Sequence, residues 1–305
     1  MLYERAKQMK LFGGVQDPER EYLDLISGDF DFSNALKILD KIDWDFKNFN
    51  TQYLTHKFHP YPARFIPQIP LTFIKLFTKE EETVLDPFCG CGTTLVEAFL
   101  NNRNSIGNDF NPLAALISKV KVTLIDEEEF RYFRKKLSRM KRYLYLDYGK
   151  VNKRLKTLPN RKISRIFNRT VISKLEVIRE TLLEIKDEGH NDIYDLGRVA
   201  LSSTIWSLVE NGGGIDVDDL FIKKVKSMEE ELKKMAKIVK KIPNVRIIPG
   251  DARKLDVETN SVDLIVTSPP YVTSYEYADL HQLTALWLEY AKDVAEFREG
   301  FIGSI

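Results

Sequence analysis

TVLDPFCGCGTT, residues 83–94, joins a short apolar run to a glycine turn, and TLVEAFLNN then opens a helical pattern. A strand that feeds a helix through Gly-x-Gly is the opening unit of a parallel α/β sheet. Glycine at Gly90 and Gly92 lets the backbone approach a ligand closely. The turn is not a phosphate-binding P-loop, since no Gly-Lys-Ser/Thr follows, and it lacks the third glycine of the dinucleotide fingerprint.

Working outward, NSIGNDFNP (104–112) reads as a second strand and its turn, and LAALISKVKV as a second helix. The strand pattern returns in NVRIIPGDARKL and in SVDLIVTSPPY, giving strands near residues 84, 106, 247 and 264. Strand–loop–helix alternation predicts a doubly wound sheet. Asp109 ends the second strand about 20 residues past the glycine loop, where an acid accepts from ribose hydroxyls. The alternative role for Asp109 is a helix N-cap. Asp251 ends the third strand and could meet an adenine amino group; its alternative is a turn aspartate. Between residues 126 and 241 the text is charged and helical, as in EEEFRYFRKKLSRMKRYLYL and VISKLEVIRETLLEIKDE. The expected organisation is an N-terminal helical extension (1–50), an α/β core (51–125 and 242–305) and a helical insertion (126–241).

TSPPY, Thr267 to Tyr271, needs its own explanation. An exocyclic amino group on a nucleobase is a poor nucleophile because its lone pair is delocalised into the ring. Methylating it requires acceptors for both N–H bonds. The Ser268 hydroxyl and the Pro269 carbonyl are suitable acceptors. Pro269 and Pro270 stiffen the backbone and remove competing donors. Tyr271 offers a stacking face. A base inside a duplex reaches such a pocket only by flipping out.

DPFCGCGTT together with TSPPY resembles the amino-methylating DNA methyltransferases, which use S-adenosylmethionine on cytosine N4 or adenine N6. The SPPY form is more typical of the N4-cytosine enzymes. The resemblance spans roughly residues 43–121 and 244–290. It implies a Rossmann-like class I methyltransferase sheet with an inserted helical region. It also implies that Phe88, Gly90 and Gly92 meet the methionine end of S-adenosylmethionine, with Asp86 close by. Asp109 would hold the ribose and Asp251 the adenine. HPYPARFIPQIP resembles the family segment that covers the methionine, so Pro62, Ala63, Arg64 and Phe65 would close that side. Ser268, Pro269, Pro270 and Tyr271 would be catalytic. The implied function is the N4-cytosine modification enzyme of a restriction–modification system acting on double-stranded DNA. Alternatives are adenine N6, an RNA substrate, or a non-catalytic subunit. Relatives carry further strands after the catalytic motif, whereas the 34 residues after Tyr271 read as helix. The sheet is therefore expected to be completed by residues beyond Ile305, a second chain or a dimer mate.

Net charge is only +1, but fifteen Lys or Arg and one acid fall between Arg131 and Thr170. That block, interleaved with Tyr and Phe, suits phosphate contacts, and Arg134, Lys135, Arg139 and Arg142 are the candidate DNA-binding residues. Cys89 and Cys91 are too close in sequence for an ordinary disulfide and complete no zinc motif. They are expected to be small loop residues. His56, His59, His190 and His281 show no metal spacing and are expected to be structural. Without a signal-like segment or a long apolar run, a cytoplasmic location with no membrane partner is expected.

Overall fold

The computed structural model describes residues 18–146, 161–211, 216–270 and 283–290. Helices α1 (Pro18–Leu25), α2 (Phe32–Leu39) and α3 (Gln68–Phe77) precede strand β1 (Thr83–Asp86). Then come α4 (Thr93–Leu100), β2 (Asn104–Asp109) and α5 (Pro112–Lys121). Helices α6 (Glu127–Leu146), α7 (Arg161–Ile166), α8 (Arg169–Asp187), α9 (Asn191–Glu210) and α10 (Val217–Ile238) follow. The chain returns to strands at β3 (Val245–Pro249) and β4 (Leu264–Ile265). The four strands pair in parallel, in the order β3-β2-β1-β4. The α/β sheet read from the four strand patterns is therefore present, and it is Rossmann-like.

The strand order fixes where a ligand can sit. From β1 the chain moves outward to β2 and β3, then crosses back to place β4 on the other side of β1. The crossovers reverse direction between β1 and β4, and the crevice of such a sheet lies at the carboxyl ends of the strands at that point. The glycine loop leaves β1 there, and Thr267–Pro270 leaves β4 there. The β4 pairing is short. Asp263 N–H donates to Thr83 O and Val266 N–H to Leu85 O, both at 3.0 Å, and the Asp263 carboxylate accepts from Thr83 N–H at 2.8 Å.

The chain forms two compact units. One contains 18–57, Tyr61–Val122 and Lys233–Pro270, and so holds the sheet. Its helix α4 is buried at every position, as a helix wedged into an α/β layer must be. Ile74, Val84 and Ala98 form a core against Leu264, and α1–α3 build a second around Tyr22, Ile26 and Ile38. The other unit contains Phe58–Pro60, the described part of 123–232, and 283–290. It is helical among the described residues. Phe130, Phe133, Leu137, Met140 and Leu144 recur at three- and four-residue spacing and form the buried face of α6. Residues 283–290 belong to this unit, with Thr284 Oγ1 accepting from Ser202 at 3.2 Å and Tyr290 Oη from Arg198 at 2.9 Å. No helix among the described residues is long and apolar enough to cross a membrane.

Arg103 is a buried cation that bonds to no carboxylate among the described residues. Its guanidinium donates to Thr78 Oγ1 (3.0 Å), Thr78 O (2.5 Å) and Asn101 O (2.6 Å). It thereby satisfies carbonyls beyond the ends of α3 and α4 that the helices leave open. Arg103→Met keeps the stem and removes the donors. It should cost about 1–3 kcal/mol, read as a lower urea midpoint at unchanged slope.

Candidate active site

The glycine loop is built by backbone and side chains from three strand ends. Gly90 and Gly92 have φ of +51° and +79°. At Gly92 a Cβ would also lie 2.7 Å from Ser118 Oγ and 3.0 Å from Ser118 Cα, so only glycine passes under α5 there. Gly92 is the N-cap of α4, with no side chain capping that end. Its N–H closes the turn on Cys89 O at 2.7 Å, and Ser118 Oγ donates to Gly90 O at 2.8 Å.

Asp109 holds this loop in place. One carboxylate oxygen accepts from Gly90 N–H and the other from Asn111 N–H, each at 2.8 Å. The helix N-cap is Asn111, whose Oδ1 accepts from Leu113 N–H at 2.9 Å. The capping alternative for Asp109 thus falls to its neighbour. Proline at the first position of α5 already marks the residue before it as the cap. Burial lifts the Asp109 carboxyl from an ordinary 3.8 to about 6, the two N–H donors and nearby Asp86 acting in opposite senses.

Asp86 is buried at the end of β1 and accepts from Phe88 N–H at 3.2 Å. Burial raises its carboxyl, while the hydroxyls of Thr94 and Thr267 and the Phe88 N–H pull it back. Asp86 thus lies near both the first turn of α4 and the segment after β4, although neither threonine hydroxyl makes a hydrogen bond to it. Ser268 and Pro270 are half-buried and Pro269 is exposed. Tyr271 and His281 lie outside the described residues. Asp251 caps a short 3-10 turn at 252–254, and Arg253 grips its carboxylate through Nε and Nη2 (2.6–3.0 Å), holding it down at about 2. That is the turn role, with the carboxylate already engaged by a cation.

Pro62, Ala63, Arg64 and Phe65 follow Tyr61, whose ring would lie 3.6 Å from a Cβ at Gly90. Ala63, Arg64 and Phe65 line a cavity of about 300 Å³ with Thr51, His56, Tyr61 and Thr93. The sequence reading missed several residues that build this region. Asn108 Nδ2 donates to Pro87 O and Gly250 O, both at 3.1 Å, tying the ends of β1, β2 and β3 together. Glu97 is buried and accepts from Tyr53 Oη and from His56 Nε2 at 2.7 Å. Burial lowers the His56 imidazole in spite of Glu97. Cys89 and Cys91 are free and buried, and burial pushes the Cys89 thiol well up.

The four basic candidates on α6 divide. Arg134 is half-buried and pairs with Glu127 and Glu229. Lys135, Arg139 and Arg142 are exposed and form no ion pair among the described residues. His190 Nδ1 meets Glu129 at 2.8 Å, and His59 Nε2 meets Ser202 Oγ at 2.7 Å. Among the described residues no three His, Cys, Asp or Glu gather to hold a metal.

The structure is thus a Rossmann-like sheet with a glycine loop at its switch point. A family model described as DNA methylase (N6_N4_Mtase) matches residues 16–119, from the N-terminal helices through α5. Over that region the chain is similar to the amino-methylating DNA methyltransferases. A type II methyltransferase, M.MvaI of Kocuria varians, is 28% identical over 277 residues, 80% of this chain and 60% of the relative. M.MjaII of Methanocaldococcus jannaschii, also a type II methyltransferase, is 36% identical over 97 residues, 30% of this chain and 18% of the relative. A tRNA (guanine(10)-N2)-dimethyltransferase of the same organism is 31% identical over 175 residues, 54% and 46% of the two chains. The chain thus spans at most about 60% of the length of these curated relatives. No solved structure matches significantly.

The raised Asp109 carboxyl has a stability consequence. The folded state holds this proton more tightly than the unfolded chain, so its contribution favours folding at low pH. That contribution is lost as pH rises from about 4 through about 6. Asp109→Asn should remove this loss. Wild type minus variant stability, measured by urea denaturation across pH 4–7, should fall over that window and be flat above it.

Proposed function

We propose that this chain is an S-adenosylmethionine-dependent DNA methyltransferase acting on an exocyclic amino group, cytosine N4 before adenine N6. It would serve as the modification enzyme of a restriction–modification system. The observation that carries this reading is the adjacency, at the β1/β4 switch point, of the glycine loop and the Thr267–Pro270 segment, with Asp86 near both. The names of two relatives, both type II methyltransferases, point the same way.

The residues present fit the cofactor. The Asp109 carboxylate stands at the edge of the glycine loop, and a cavity lined by Ala63, Arg64 and Phe65 opens beside it. Bound there, S-adenosylmethionine supplies an electrophilic methyl group. Asp109 would accept from the ribose hydroxyls while keeping its clamp on Gly90. Ser268 Oγ and Pro269 O would accept the two amino protons of the target base, drawing the nitrogen lone pair out of conjugation. Tyr271 would stack on the flipped ring. The chain's contribution is then largely positioning: attacking nitrogen and methyl carbon must be held about 3–3.5 Å apart and in line.

A second reading is favoured by one observation. The tRNA relative acts, by its name, on an exocyclic amino nitrogen of guanine in RNA, so an RNA base is the competing substrate. Incubation with labelled cofactor and either DNA or tRNA, followed by mass analysis of the nucleosides, separates the readings. N4-methylcytosine from DNA is expected; methylation confined to RNA would overturn the proposal. In the same assay Ser268→Ala should lower turnover about 10²-fold or more, with cofactor affinity unchanged by calorimetry.

The DNA reading extends to α6. Neutralising Lys135, Arg139 and Arg142 should weaken DNA binding and flatten its salt dependence, by about 0.9 in log K per log salt for each phosphate that is no longer neutralised. Arg134→Gln should instead lower stability and leave the slope alone, because its guanidinium already serves Glu127 and Glu229. A salt slope unchanged in the triple variant would make this face a solvated one.

A further inference from the structure

Lys121, the last residue of α5, is fully buried; its Nζ meets no carboxylate among the described residues, and the Cys91 thiol is the side chain within bonding reach of it. Burying an ammonium without an acid is costly, and natural cores avoid it unless the charge is used. The titratable groups that act on it are Cys91 and Cys89 of the glycine loop and the guanidinium of Arg64. Arg64 is a second cation and so repels it. Arg64 directs its own Nη1 to neutral acceptors, His56 O at 2.8 Å and Gln52 Oε1 at 3.3 Å, and it lines the cavity beside the loop. Glu97, the carboxylate beside His56, already accepts from Tyr53 and His56. The same cavity is lined by Thr93, the first residue of α4, whose N-terminal end no side chain caps. Arg64 and an open helix N-terminus therefore border the cavity, Lys121 is buried against the Cys89–Cys91 turn next to it, and the Glu97 carboxylate is already committed to Tyr53 and His56. Such an arrangement is built for an anion.

We propose that Lys121, behind the Cys89–Gly92 turn, is a positioning residue that supplies the buried counter-charge for the α-carboxylate of the cofactor, seated in this cavity between Arg64 and the N-terminus of α4. The inference rests on the S-adenosylmethionine reading above. That cofactor carries two cationic groups, the ammonium and the sulfonium, and one anion. Cations around the site can serve only the carboxylate. Lys121 acts at a distance, through a dry interior where charge is weakly screened.

The test compares S-adenosylmethionine with its decarboxylated form, which differs by the carboxylate alone, in calorimetric titrations of the whole chain. Wild type should bind S-adenosylmethionine at least about tenfold more tightly. Lys121→Met should lose about tenfold in affinity for S-adenosylmethionine and nothing for the decarboxylated ligand. Arg64→Met should behave in the same way. The ligand-free Lys121→Met protein should melt at a higher temperature, since an unpaired buried amine has been replaced by an isosteric apolar chain. A Lys121→Met variant that melts lower, or that weakens both ligands equally, would show a merely structural lysine and overturn the inference. Wild type that binds both ligands equally also overturns it while leaving the cofactor reading intact. Wild type that binds neither ligand brings down the cofactor reading itself, and this inference with it.

Discussion

The bond from Gly90 N–H to the Asp109 carboxylate is the constraint on which the rest of the sheet end depends. A glycine loop is useful only if its backbone is held still while remaining uncovered. Glycine contributes no side chain to do this, so the restraint comes from the neighbouring strand. Asp109 at the end of β2 holds the loop from one side, Ser118 of α5 holds the Gly90 carbonyl, and Asn108 joins β1 and β3 behind it. Every one of these partners reaches across from β2 or α5. The first βα unit is thus rigid because the second one is packed against it.

Much of this was legible in the sequence. Four short runs ending in polar or glycine-rich turns became β1 to β4; β1, buried at Val84, Leu85 and Asp86, carries the continuous signature of a strand covered on both faces, whereas β3 has no buried residue and Ile265 of β4 is exposed. The helices α4, α5, α6 and α8–α10 followed from their periodicity. The strand order was not legible, because nothing local in SVDLIV says that it pairs with TVLD rather than beyond VRIIP. The lattice of Asn108, Glu97, His56 and Lys121 was equally hidden. These residues lie on different elements and act only once folding brings them together. Asp109 and Asn111 show a finer limit. Both are short polar residues before a helix, and only the position of Pro112 distinguishes the cap from the clamp.

Charge counting met a similar boundary on α6. Fifteen cations against one acid in a local window suggests a free basic surface. Within the folded unit, however, acids from distant helices reach three of those cations: Glu229 reaches Arg134, Glu188 reaches Lys136 and Asp219 reaches Lys141. A window along the chain cannot see α8 or α10. Among the described residues Lys135, Arg139 and Arg142 are left without an ion pair, and the proposed DNA contact rests on them.

The adjacency of β2 and β3 also bears on the order in which this molecule is made. The two strands are neighbours in the sheet, yet β2 ends at Asp109 and β3 begins at Val245, with α5 to α10 between them. During synthesis the glycine loop and its Asp109 clamp emerge early, while the strand that closes the other side of β2 waits for all of those helices. Because the entropy of closing a loop grows only logarithmically with its length, the span between α5 and β3 can lengthen, shorten or be replaced at little cost to the sheet. A lineage could therefore exchange the helical region wholesale while keeping the strand ends and their hydrogen bonds untouched.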